Sequence, residues 1–291
     1  MKIIKAIIVI VVLGACVFLA ISFFSRETGV EVLPTPTTLE IPGYKVVGKS
    51  VEGRNIESYT FGNGVQHLLF VGGIHGGYEW NSVLLAYEFI DYLKENSTIP
   101  GNVTVTIIPS ANPDGVYKVI GKEGRFTLAD IPKEAPATPG LGRFNAHDVD
   151  LNRNFDCKWK PESTWRSQIV SAGTKPFSEP EAVAIRDFVL NNKPEAVIFW
   201  HSQANAVYAS ECNAGILPET LDIMNAYSTA AGYQAIKSFD AYPVSGDAEG
   251  WLASINIPAI TVELKTHETV EWERNLDGFK AVLGYYGKKI K

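Results

Sequence analysis

A chain of 291 residues with 46% hydrophobic and 20% charged side chains holds enough apolar material for a sizeable core in one or two domains. Its net charge is −6, and Lys2 and Lys5 lie outside the folded part, so the domain itself is more acidic still. That balance argues against a nucleic-acid partner.

In chain order, the first segment reads as a targeting signal. Lys2 and Lys5 precede residues 6–24, which carry no charge and a single polar side chain, Ser22. A spanning helix needs about 20 apolar residues and a cleaved signal core about 7–15. The run sits nearer the spanning length, which predicts an N-terminal hydrophobic helix over 1–25 acting as a signal anchor, with the domain on the far side of the membrane. A cleaved signal peptide ending near Ala20-Ile-Ser22 and lipidation at Leu13-Gly-Ala-Cys16 remain open as alternatives. Residues 26–43 contain Leu-Pro-Thr-Pro-Thr-Thr, a semi-rigid linker.

From residue 44 to 291 strands and helices alternate. Stretches 44–48, 56–61, 68–74, 103–108, 196–200 and 259–264 are rich in Val, Ile and aromatics and predict strands. Stretches 80–95, 179–192, 218–231 and 273–288 predict helices, the second started by Ser178 ahead of Glu179-Pro-Glu181. The expected fold is α/β: a single domain with a mostly parallel, mixed twisted sheet and helices on both faces. Ligand sites in such sheets collect beyond the carboxyl ends of the strands.

Chemistry-bearing residues fall at those ends. Val71-Gly-Gly-Ile-His-Gly-Gly-Tyr-Glu-Trp80 closes a strand, turns on glycines and opens a helix, so that His75 and Glu79 can face one point. His201 follows Val197-Ile-Phe-Trp200 and offers a third donor. Two His and one Glu leave a fourth zinc position open, the catalytic rather than the structural arrangement. Glu263 interrupts the apolar run Pro258-Ala-Ile-Thr-Val-Glu-Leu264, where a carboxylate costs several kcal/mol unless it is paired or employed. His67, His147 and His267 read as structural or solvated.

In this order and spacing the residues resemble the zinc metallocarboxypeptidase family of the carboxypeptidase A type. Further matches are Asn112-Pro-Asp-Gly115, Asp150-Leu-Asn-Arg-Asn-Phe155, Pro176-Phe-Ser-Glu-Pro180 and Tyr242 ahead of Ala248-Glu249. The resemblance implies one zinc ion on His75, Glu79 and His201, with Glu263 as general base and acid and Arg143 as the guanidinium that polarises the scissile carbonyl. It also implies that Asn152 and Arg153 clamp the terminal carboxylate of a peptide substrate, that Tyr242 covers it, and that Glu249 lies at the floor of a side-chain pocket suited to Lys or Arg. The expected activity is hydrolysis of the C-terminal peptide bond by a monomeric, extracytoplasmic enzyme, membrane-anchored or secreted. A peptidase cutting a peptidoglycan stem next to diaminopimelate, and an inactive domain that binds peptide tails, are the alternatives.

One departure from the family pattern stands out. The family spacing is His-x-x-Glu; here Tyr78 occupies that place and the acid arrives one residue later, the extra glycine implying a bulged turn. Cys157 and Cys212 lie close in sequence to Arg153 and His201, in a compartment where thiol pairs tend to oxidise, and are expected to form a disulfide near the cleft.

Overall fold

The computed structural model describes residues 43–96, 98–133 and 140–289. The anticipated anchor and nearly all of the linker lie outside the described residues. Eight strands form one sheet in the order β1-β2-β4-β3-β7-β10-β8-β9. They are β1 (Tyr44–Lys49), β2 (Asn55–Gly62), β3 (Gln66–Val71), β4 (Val103–Ile108), β7 (Ala196–Ser202), β8 (Ala206–Ala209), β9 (Gln234–Ile236) and β10 (Ala259–Leu264). The β4-β3-β7-β10 centre is parallel, β1 and β2 add antiparallel strands at one side, and β8 runs antiparallel to β10. A separate hairpin pairs β5 (Glu162–Trp165) with β6 (Gln168–Ser171).

Six α-helices accompany the strands among the described residues: α1 (Trp80–Glu95), α2 (Pro113–Ile120), α3 (Pro180–Asn192), α4 (Pro218–Ala231), α5 (Ala248–Ser254) and α6 (Trp272–Gly287). Side chains alternate across a strand, and the core splits accordingly into two clusters. Leu68, Phe70, Ile198, Trp200, Ile260 and Val262 face α1, α4 and α6, where Phe89 stacks on Trp200 with centroids 5.0 Å apart. Leu69, Val71, Val197, Phe199 and Ala259 face α3 and α5. The same parity carries His201, Thr261 and Glu263 to the α5 side, two residues on from Phe199, Ala259 and Thr261 respectively. Register then sets Glu263 directly beside His201 across the parallel β7–β10 pair.

Two boundaries differ from expectation. β3 ends at Val71 rather than at residue 74, because Gly73 adopts φ +62° and Gly72 leaves no room for a side chain between the carbonyls of Ser82 and Pro109. The cap of α3 is Glu179, not Ser178, whose hydroxyl instead donates to Glu179 Oε1 at 2.8 Å. Sequence periodicity missed β5, β6, β8 and β9 because each is only three or four residues long. It missed α2 although the signals were present: Asn112 accepts from Gly115 N at 2.8 Å, Pro113 fills the first turn, and Gly121 ends the helix at φ +74°.

Candidate metal centre and catalytic cleft

His75 follows the turn after β3 and opens a single 3₁₀ turn, Gly76–Glu79, that leads into α1. This turn absorbs the extra residue of the His-x-x-x-Glu spacing. Gly76 sits at φ +49°, and a Cβ on it would approach Gly142 O to 2.5 Å, so only glycine fits. Tyr78 is thereby turned to the cleft, while Glu79 reaches inward with its Oε1 2.7 Å from His75 Nδ1. Glu79 Oε2 lies 3.2 Å from His201 Nδ1 and accepts from Ser202 N at 3.2 Å.

His75, Glu79 and His201 are all buried, and one donor atom from each falls within 4.8 Å of the others. The two Nδ1 atoms are 3.2 Å apart, both turned toward one carboxylate. In metal-free protein that contact is an imidazole–imidazole hydrogen bond, with one ring donating to the other. Burial opposes protonation of His201, yet Glu249 and Glu79 raise its pKa to about 10. Burial likewise opposes ionisation of Glu79, and the flanking imidazoles outweigh it and hold the carboxyl well below its usual range. Two imidazoles and a carboxylate converging on one buried point match the ligand chemistry of zinc and form a possible metal site. The far ring nitrogens lie near acids, although neither makes a hydrogen bond among the described residues. His75 Nε2 is 3.6 Å from Asp150 Oδ1, and His201 Nε2 is 3.2 Å from Glu249 Oε1.

Around the cluster stand the other expected residues. Glu263 is half-buried, its Oε2 is shut off from solvent with no hydrogen-bond partner among the described residues, and burial together with the charge of Glu79 pushes its pKa to about 8. Arg143 is 2% exposed, donates through Nε and Nη2 to Asp150 Oδ2 at 3.0 and 2.8 Å, and brings Nη1 to 3.8 Å from Glu79. Arg153 is held by Thr164 O and Asn152 O, and Asn152 Oδ1 accepts from Ala248 N at 2.8 Å. These groups, with Tyr242 and Glu249, line one cleft of about 450 Å³ that also contains His75, Glu79, His201 and Glu263. Glu249 is buried and its Oε1 accepts from Thr261 Oγ1 at 3.0 Å. Cys157 and Cys212 form the anticipated disulfide, Cys157 itself lining the cleft.

Several residues in or behind the cleft were not singled out from the sequence. Asp150 was visible only as part of its block; its role as the acid joining Arg143 to His75 depends on the fold. Asp247 caps α5 by accepting from Gly250 N at 2.7 Å and also borders the cleft. His267, read as structural or solvated, bonds Ser202 Oγ through Nδ1 at 2.6 Å and packs on Tyr78 at 4.6 Å. Trp165 and Arg166 enter the cleft from the short β5–β6 hairpin. β-branched and aromatic residues on either side of Arg166-Ser167 were the available signal.

The chain is 28% identical over 238 residues to the gamma-D-glutamyl-L-diamino acid endopeptidase 1 of Lysinibacillus sphaericus, covering 75% of this chain and 59% of that protein. Its fold is similar to that of a murein-tripeptide amidase from Escherichia coli O157, with a TM-score of 0.61 at 22% identity over 86% of this chain and 94% of that one. It is similar also to bovine thrombin-activatable fibrinolysis inhibitor, with a TM-score of 0.64 at 19% identity over 84% of this chain and 88% of that one. The zinc carboxypeptidase family profile matches residues 40–281, and the chain belongs to that family.

Proposed function

We propose that the chain is a zinc-dependent metallocarboxypeptidase that hydrolyses the amide bond to a C-terminal residue. The observation that carries this reading is the convergence of three buried donors with Glu263 and Arg143 in one cleft. Zinc held by His75, Glu79 and His201 would lower the pKa of a water molecule and polarise a carbonyl. Glu263 takes the proton of the attacking water and returns it to the leaving amine. Arg143, fixed by Asp150, offers a guanidinium N–H to the oxygen on which charge develops. Arg153 and Asn152, with Tyr242 in the same cleft lining, receive the terminal carboxylate.

Asp247 and Glu249 favour an amine-bearing leaving residue, Lys, Arg or a diamino acid. A second reading follows from the same two acids: hydrolysis of a γ-glutamyl–diamino acid amide in a peptidoglycan stem, the bond named for the Lysinibacillus relative. The inactive-domain reading rests on the displaced acid; the approach of Glu79 Oε1 to 2.7 Å from His75 Nδ1 supports the enzymatic reading instead. The disulfide supports an extracytoplasmic location, secreted or anchored. Among the described residues no helix is long and apolar enough to cross a membrane. The test is hydrolysis of blocked dipeptides ending in Phe, Lys or Glu beside a muropeptide carrying diaminopimelate. The proposal expects turnover of Lys or of the muropeptide; no turnover of any by zinc-loaded protein contradicts it.

A further inference from the structure

We infer that Tyr78, Trp165 and Arg166 form an anion-binding subsite for a free carboxylate on the residue that supplies the scissile carbonyl. The inference rests on the hydrolase reading above and adds a substrate determinant beside Arg143.

The inserted residue of the His-x-x-x-Glu turn makes this subsite. It places Tyr78 next to Glu79 with its ring over the cleft, where the hydroxyl accepts from Arg166 Nη2 at 3.1 Å. Trp165, at 5% exposure, stands edge-on to Tyr78 with centroids 5.4 Å apart. Its ring carries two guanidinium groups, that of Arg143 at 4.6 Å and that of Arg166 at 5.4 Å. One aromatic plate therefore spaces the guanidinium assigned to the scissile carbonyl from a second one.

The two arginines differ in what they already hold. Arg143 is tied to Asp150, whereas Arg166 makes only the bond to Tyr78 and no carboxylate pairs with it among the described residues. Four of its five N–H donors are left for a ligand. A planar fork fixed by a phenol and an indole is suited to a carboxylate.

The flank follows from the fold. Asn152 and Arg153 pack against the start of α5, through Ala248 N and Gly246, and take the leaving side. Arg166 instead shares the Trp165 ring with Arg143, the guanidinium assigned to the scissile carbonyl, which assigns Arg166 to the acyl side. A γ-linked glutamyl residue presents such a group there, because its side-chain carboxyl forms the scissile amide and its α-carboxylate stays free. An α-linked glutamyl residue presents its side-chain carboxylate instead.

The test uses full-length zinc-loaded protein and four blocked substrates that share a leaving lysine. Two carry a γ-linked glutamyl residue with the α-carboxylate free or amidated, and two carry α-linked Glu or Gln. The guanidinium is exposed, which implies a wild-type preference of about two- to fivefold in kcat/KM for an acid over its amide. In Arg166→Gln that preference should fall to near unity through KM, with zinc content unchanged, and Arg166→Lys should restore part of it. Equal loss on acid and amide, or no wild-type preference in either pair, overturns the subsite. Wild-type turnover confined to the α-linked pair would remove the γ-glutamyl reading, while the Glu-to-Gln ratio still decides Arg166.

Discussion

Glu263 is an acid in a strand of β-branched and aliphatic neighbours, and its exchange for an amide separates chemistry from fold. Glu263→Gln is expected to keep zinc and structure and to lose roughly 10²–10⁴-fold in kcat; full activity would remove Glu263 from the reaction. The raised pKa has a second consequence in metal-free protein. The folded state holds a proton on Glu263 that the unfolded chain releases, so its stability falls as pH rises from the ordinary glutamate range to about 8. The gain in Tm of Glu263→Gln over wild type should therefore grow across that interval and level off above it; a pH-independent difference would contradict the assignment. Glu249 makes a sharper test of specificity, since it both backs His201 and borders the cleft. Glu249→Leu is expected to lower kcat/KM for C-terminal Lys more than for Phe, and equal losses with weaker zinc retention would reduce it to a support for His201. Most of these residues were legible in the sequence because each is a polar group at a strand end or inside an apolar run. Asp150, Arg166 and His267 were not, because their roles arise from contacts between distant segments.

At the level of elements, the cleft is assembled from connections rather than from the regular strands. The long strands and helices were readable from their periodicity and turn residues, and their parity placed His201 and Glu263 on one side. The β5–β6 hairpin and β8 were not, since a four-residue strand gives too few alternations to be told from loop. The disulfide joins two such connections, the segment after Arg153 and the loop after β8, across a sequence separation of 55. Chain entropy assigns a crosslink of that span about 4 kcal/mol. Cys157→Ser with Cys212→Ser should lower Tm on the order of 10 °C and weaken binding of a terminal carboxylate. Two free thiols in denatured, unreduced protein would show that the bond does not form.

At the level of the whole molecule, a sheet with helices on both faces brings three donors from β3–α1 and β7 to one buried point beside β10. A ligand that binds the native state alone stabilises it by mass action, so chelation should lower Tm as well as abolish turnover, and zinc should restore both. The 3₁₀ turn of Gly76–Glu79 is the feature on which that assembly depends, because it delivers Glu79 in spite of the added residue. The most direct measurement is the zinc content of purified, buffer-exchanged protein, wild type beside Glu79→Gln and Tyr78→Phe. One zinc per chain in wild type and Tyr78→Phe, with a clear loss in Glu79→Gln, is the predicted result. Full occupancy in Glu79→Gln together with loss in Tyr78→Phe, or no zinc in any of the three, would contradict the metal centre described above.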